Sequence, residues 1–190
     1  MIIAGNSNVS SFRQQGIIAS TCSEQISVAW VGALKVEHFF NGHPAGAKIR
    51  ELFATSLEWK FLSIGIHDIH VLCSSVALGR YDQILEVIEN LYFKLFRELS
   101  AAGKFGWLVF PQAAHEISFR GLTKEDVLRI AKTFNKKVET WCRNEGIIVV
   151  NPLHKILGSD DLPLSHLLQK DNTFYFFTFA NFFLIKLQNY

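Results

Sequence analysis

Residues 1–12 read MIIAGNSNVSSF, and this stretch decides the class of fold that the sequence predicts. Its apolar start predicts a buried strand, and the hydroxyl-rich residues after the Gly-Asn-Ser turn predict the beginning of a helix. Open α/β sheets bind ligands at the carboxyl ends of their strands, and this turn lies at such an end. Ser7 is therefore a candidate site residue. Because Asn and Ser are also preferred N-cap residues, a helix cap is the alternative interpretation.

The rest of the chain repeats the order of strand and helix. Short apolar runs predict strands at 25–34, 60–64, 105–110 and 147–150, and helical spacing predicts helices at 10–19, 45–59, 81–102 and 122–144. No tight hairpin signal joins neighbouring strands, so parallel strands with helical crossovers are expected. We predict a single domain over residues 1–190 with a flavodoxin-like, three-layer α/β/α sandwich around a parallel sheet of about five strands. In the second helix, the predicted buried face comprises Ile49, Leu52, Phe53 and Leu57.

Composition restricts the function classes. The chain has 190 residues, a net charge of +2 and three cysteines without a Cys-x-x-Cys pair. The cysteine usage indicates a reducing compartment, and we expect a cytoplasmic protein with no structural metal. Basic residues are scattered among acidic ones, which argues against nucleic-acid binding. No signal peptide and no apolar run long enough to span a membrane are recognisable.

The C-terminal stretch 174–190 is rich in phenylalanine. Burial within the protein, a homodimer interface and a membrane surface are the three interpretations. The first two are favoured, because an interfacial membrane helix carries a face rich in Lys and Arg and this stretch has only Lys186.

Polar residues follow each predicted strand. They are Asn6 to Asn8, Gly32, the GIHDIH segment of residues 65–70, residues 111–115 and residues 151–154. In GIHDIH, Asp68 stands between His67 and His70, a combination that can bind a metal, relay protons or hydrogen-bond a loop. Metal binding is disfavoured, because no second ligand pair accompanies it. A phosphate or nucleotide site at the first turn is also disfavoured, since no Gly-rich phosphate loop is present.

Three of these segments, together with Asp171 near the C-terminus, resemble the four sequence blocks of the SGNH (GDSL-like) hydrolase superfamily. The matching residues are Gly5-Asn6-Ser7, Gly32, Gly65-x-x-Asp68 and Asp171. The resemblance implies a serine esterase in which Ser7 is the nucleophile and Gly32 donates a backbone N–H to the oxyanion. Asn6 replaces the aspartate that is usual before the serine, and His67 stands where the family has an asparagine that also binds the oxyanion.

The segment LSIGIHDIH, residues 62–70, also resembles a pattern in a bacterial branch linked to polysaccharides. This similarity implies an acyl ester of a sugar, such as an acetyl ester, as the substrate. No cofactor is implied. We group Asn6, Gly32, Gly65, His67 and Asp68 as the expected oxyanion and substrate-binding residues.

The chain departs from the family in its last block, where Asp171 is followed at position 174 by phenylalanine instead of the histidine base. Without a base, a serine hydroxyl is a poor nucleophile. Three explanations are open. His166 or His154 supplies the base, with His70 and His115 as further candidates; the block is displaced; or the chain is a binding or assembly protein that has lost the chemistry. The expected catalytic residues are Ser7, Asp171, His166 and His154.

Overall fold

The structure is a computed structural model in which residues 1–6, 27–109, 121–151 and 158 are described. The elements are β1 (Ile2–Gly5), β2 (Ser27–Trp30), a 3-10 helix (Val36–Phe39), α1 (Pro44–Ala54), β3 (Lys60–Ser63), α2 (Ile66–Ala77), α3 (Tyr81–Ala101), β4 (Phe105–Leu108), α4 (Lys124–Asn144) and β5 (Ile148–Val150). The predicted helix at 10–19 and the stretch 174–190 lie outside the described residues.

The five strands form one parallel sheet in the order β2-β1-β3-β4-β5. In the register of this sheet, Gly5 of β1 lies between Trp30 of β2 and Ser63 of β3. All residues of β1, β3 and β4 are buried, which explains why these strands are mostly apolar in sequence. Lys60 and Ser63 at the two ends of β3 are buried polar residues. The predicted fold class, a three-layer α/β/α sandwich around a parallel sheet of five strands, is confirmed.

Helix α1 begins as the sequence predicts but ends early. His43 is its N-cap, with Nδ1 accepting a hydrogen bond from the backbone N–H of Ala45 at 3.2 Å. The helix stops at Ala54, five residues before the predicted end at Trp59. Leu57 therefore lies beyond the helix and is 96% exposed, so the prediction that it belongs to the buried face was wrong.

The long helices α3 and α4 pack on the sheet and contribute many of the buried core side chains. Each has 21 residues, and their observed bounds agree closely with the predicted ones. Thr123 and Asp126 form the predicted capping box at the start of α4. The side chains that α3 buries recur at helical spacing and are Leu85, Ile88, Tyr92, Leu95, Phe96 and Leu99.

Candidate functional site

The carboxyl ends of β1 and β3 meet where the strand order reverses. The chain runs from β1 to the edge strand β2 and then crosses back over β1 to β3. In an open parallel sheet, this reversal leaves a crevice at the carboxyl ends of the two strands, and ligands bind there. Gly5 and Asn6 lie at this crevice at the end of β1, and Ser63 lies there at the end of β3.

Gly5 allows the ends of β1 and β3 to approach closely. A Cβ atom at this position would lie 2.1 Å from the carbonyl oxygen of Ser63, which is inside any real contact distance. The backbone N–H of Asn6 donates to the same oxygen at 3.1 Å. The glycine of the Gly-Asn-Ser turn is therefore required by the packing of two strands.

The side chain of Asn6 is buried without a visible partner. It is 2% exposed, and neither Oδ1 nor Nδ2 has a hydrogen-bond partner among the described residues. The hydroxyl of Ser63 is equally unpartnered within that part of the chain. An unsatisfied buried polar group costs about 1–3 kcal/mol, so native proteins retain few of them. Two such groups on neighbouring strand ends call for a functional explanation.

Gly32 lies in a turn after β2, at the strand end as expected, although β2 ends at Trp30 and the predicted strand extended to residue 34. The preceding N–H, that of Val31, donates to the carbonyl of Gly5 at 2.9 Å, so the turn begins beside the end of β1. Gly32 is exposed, and the next residue, Ala33, has a φ of 53°, which residues other than glycine adopt rarely. The structure thus brings the backbone of Gly32 and that of Asn6 to one edge of the sheet.

His67, Asp68 and His70 lie in the first two turns of α2, a helix that the sequence analysis did not predict. Gly65 is the N-cap residue of the helix and has a φ of 138°, which lets β3 lead into α2 with almost no connecting segment. The rings of His67 and His70 contact each other edge to face, with centroids 5.4 Å apart. The polar segment 65–70 therefore forms the N-terminal end of a helix.

Asp68 points into the protein interior. It is 2% exposed, and its carboxylate accepts hydrogen bonds from the backbone N–H of Val36 at 3.1 Å and from Oη of Tyr92 at 2.7 Å. Burial raises the pKa of Asp68 to about 7, although the hydrogen bonds from Tyr92 and Val36 act in the opposite direction. The contacts of this carboxylate join α2 to the 3-10 helix and to α3.

Two features of the region were not predicted from the sequence. The imidazoles of His38 and His43 stack with centroids 4.0 Å apart, and burial together with the charge of His43 lowers the pKa of His38. Tyr92 is the second unpredicted residue, because the sequence shows it only as one member of the apolar face of α3. The sequence carries no local signal for the stacking of His38 on His43 or for the hydrogen bond between Tyr92 and Asp68, because the two partners in each case belong to different elements.

The expected catalytic residues Ser7, His154, His166 and Asp171 lie outside the described residues. Within the described part of the chain, no three side chains of His, Cys, Asp or Glu form a group that could hold a metal ion. None of the helices seen there is long and apolar enough to cross a membrane. The described residues therefore include the expected oxyanion and substrate-binding residues and none of the expected catalytic ones.

Comparison with known proteins supports the fold. No protein-family model matches the chain, and no curated protein matches its sequence. Among solved structures, a GDSL-like lipase from Bacteroides thetaiotaomicron is 14% identical, with a TM-score of 0.65 over 98% of this chain and 85% of that one.

Two further solved structures have the same architecture. LAE5, an alpha/beta hydrolase enzyme from the metagenome of Lake Arreo in Spain, is 15% identical with a TM-score of 0.57 over 97% of this chain and 92% of its own. A member of the lipolytic protein G-D-S-L family from Veillonella parvula is 14% identical, with a TM-score of 0.53 over 87% and 89% of the two chains. At these identities the likeness shows the fold.

Proposed function

Because this chain has the fold of the SGNH (GDSL-like) hydrolases, we propose that it is a serine hydrolase of that type, which cleaves an acyl ester. One observation carries the proposal. The turn that contains Gly32 begins where the backbone N–H of Val31 donates to the carbonyl of Gly5. Gly5 directly precedes Asn6 and Ser7 in the sequence. An oxyanion donor and a nucleophile at neighbouring strand ends are what acyl transfer requires.

The proposed reaction proceeds through an acyl-enzyme. The hydroxyl oxygen of Ser7 attacks the ester carbonyl, while the imidazole of His166 or His154 takes the hydroxyl proton. Asp171 orients this imidazole. The backbone N–H groups of Gly32 and Ser7 stabilise the resulting oxyanion. The imidazole then protonates the leaving alcohol. In the second half of the reaction, the imidazole takes a proton from water, which attacks the acyl-enzyme, and returns that proton to the Ser7 oxygen as the acid leaves.

Other groups of the expected site have supporting roles. His67 lies in the first turn of α2, at the sequence position of the family's second oxyanion donor, and Gly65 allows that helix to start at the strand end. Asn6 offers a buried amide that has no partner among the described residues, which suits a contact with the substrate.

The proposed substrate is an acyl ester, such as an acetyl ester, of a sugar or polysaccharide. It is supported by the resemblance of residues 62–70 to a branch of the family linked to polysaccharides, a segment that forms the end of β3 and the beginning of α2. Glucose pentaacetate and acetylated xylan compared with p-nitrophenyl palmitate test this choice. Hydrolysis of the palmitate in preference to the acetylated sugars contradicts it.

The nucleophile assignment is tested with p-nitrophenyl acetate and a fluorophosphonate probe. We expect Ser7→Ala to abolish labelling and to lower hydrolysis by about four powers of ten or more. Ser10→Ala, which removes a hydroxyl from the same stretch, is the matched control and keeps both signals. Equal labelling of the wild-type protein and Ser7→Ala contradicts the assignment.

A second candidate function is a non-catalytic binding or assembly protein with the same fold. It is favoured by one observation, the phenylalanine at position 174 where the family has its base. This candidate predicts no esterase activity in the unmodified protein. A gain of activity in Phe174→His would support it by indicating a pocket that lacks only its base.

A further inference from the structure

The loop between β2 and the 3-10 helix, residues 31–35, is anchored at both ends. At its start, the N–H of Val31 donates to the carbonyl of Gly5 at 2.9 Å. Directly after it, the N–H of Val36 donates to Oδ1 of Asp68 at 3.1 Å. Within the loop, Leu34 is fully buried in the hydrophobic core. The position of Gly32 within this 31–35 loop is therefore held by one backbone hydrogen bond, one hydrogen bond to a side chain and the packing of Leu34.

The side-chain anchor is itself held by a rigid group. Oη of Tyr92 donates to Oδ2 of Asp68 at 2.7 Å, and both residues are buried. The ring of Tyr92 packs edge to face against Phe96 and Phe134, with centroids 5.4 and 5.1 Å away. Because this aromatic packing fixes the hydroxyl of Tyr92, the carboxylate of Asp68 has little freedom to turn away from Val36.

We propose that Asp68, held by Tyr92, is a positioning residue that sets the place of the 31–35 loop and thereby of the Gly32 backbone N–H. The inference rests on the proposed function, because it gives the position of that N–H a chemical role. Oxyanion donors act at about 2.7–3.1 Å, so a loop that moves by an ångström loses most of their effect. On this view, Asp68 contributes to catalysis through the backbone and does not touch the substrate.

The strength of this anchor depends on pH. An ionised carboxylate accepts a hydrogen bond more strongly than a neutral acid does. Burial raises the pKa of Asp68 to about 7, with Glu37 raising it further and Lys35 lowering it from the 3-10 helix side, while Tyr92 faces it from α3. The hydrogen bond from Val36 is therefore stronger above neutrality than below it.

Amide hydrogen exchange of the full chain tests the anchor directly. We expect Asp68→Ala to speed exchange at the Val36 amide by about tenfold or more, because the amide loses its acceptor. Asp68→Asn keeps an oxygen at the same place and retains most of the protection. Tyr92→Phe, which keeps the ring and removes the hydroxyl, gives an intermediate rate and serves where Asp68→Ala does not fold. Asp82→Asn, on the exposed face of α3, is the matched control.

The effect on the site is measured by the rate of fluorophosphonate labelling. Asp68→Ala should label about tenfold more slowly than the wild-type protein. The fall of the labelling rate below neutrality should be smaller in Asp68→Asn, in which only the proposed imidazole base still titrates. Unchanged Val36 exchange in both Asp68→Ala and Tyr92→Phe overturns the inference even in an active enzyme. Faster exchange in these variants supports the anchor even if the wild-type protein does not label, an outcome that would reject the proposed function instead.

Discussion

The backbone N–H of Asn6 donates to the carbonyl oxygen of Ser63 at 3.1 Å, which joins the ends of β1 and β3 where the strand order reverses. The bond requires the two strand ends to lie closer than a side chain on Gly5 would permit. The same contact thus fixes the residue before the proposed nucleophile and explains the glycine of its turn.

Gly5→Ala should destabilise the protein strongly. The added Cβ would lie 2.1 Å from a backbone oxygen, which cannot move without separating β1 from β3. We expect a loss of about 3 kcal/mol in the free energy of unfolding, measured by urea denaturation. Gly32→Ala is the control, because a Cβ there meets nothing within 4 Å. Similar losses in the two variants would contradict the close approach of the strands.

Gly65→Ala should destabilise through backbone strain. Space is available, since the nearest atom to an added Cβ is Oη of Tyr92 at 3.6 Å, but the φ of 138° is rarely adopted by residues with a side chain. We expect a loss of about 1–3 kcal/mol by the same denaturation assay. An unchanged midpoint would mean that the junction of β3 and α2 adopts another backbone conformation.

Asp68 should make the protein less stable as the pH rises from about 4 to about 7. In this window the unfolded chain has ionised Asp68, with an ordinary pKa of 3.8, whereas the folded chain keeps its proton because burial raises the pKa to about 7. The folded state then binds more protons than the unfolded one, so the free energy of unfolding falls with pH. The slope from this group is at most about 1.4 kcal/mol per pH unit.

Asp68→Asn removes this titration and should flatten the corresponding part of the stability profile, recorded by denaturation at half-unit pH steps. Asp82→Asn, an exposed carboxylate on α3, is the control and should keep the wild-type slope. A profile that retains its full slope in Asp68→Asn would assign the titration to another group.

Asn6→Leu should stabilise the folded chain while impairing the site. The two side chains have similar shapes, and the change removes a buried amide that has no partner among the described residues. We expect a gain of about 1 kcal/mol in the free energy of unfolding together with a loss of fluorophosphonate labelling. Lower stability in Asn6→Leu would indicate that the amide is hydrogen-bonded in the folded protein.

Much of the fold follows from local sequence patterns. The helices α3 and α4 and the strands β3, β4 and β5 lie close to their predicted places, because their apolar spacing reflects burial on one face or on both. Helix α2 was missed. Its first two turns carry two histidines and an aspartate, and Gly65 lies close to the strand end, so the segment has the composition of a polar loop.

The site was predictable only in part. The positions of Asn6 and Gly32 at strand ends follow from the strand pattern, because parallel strands bring their carboxyl ends to one edge of the sheet. The role of Asp68 did not follow from the sequence. Its partners Val36 and Tyr92 lie 32 and 24 residues away, and no local pattern connects them.

The sequence by itself determined the parallel sheet, the long helices α3 and α4 and the glycine residues at the carboxyl edge of the sheet, since each of these depends on the spacing of neighbouring residues. Only the tertiary structure decided that Gly5 must be a glycine, that the amide of Asn6 is buried, and that Asp68 anchors the loop after β2. These features depend on which distant atoms meet in the folded protein and on the water that their packing excludes.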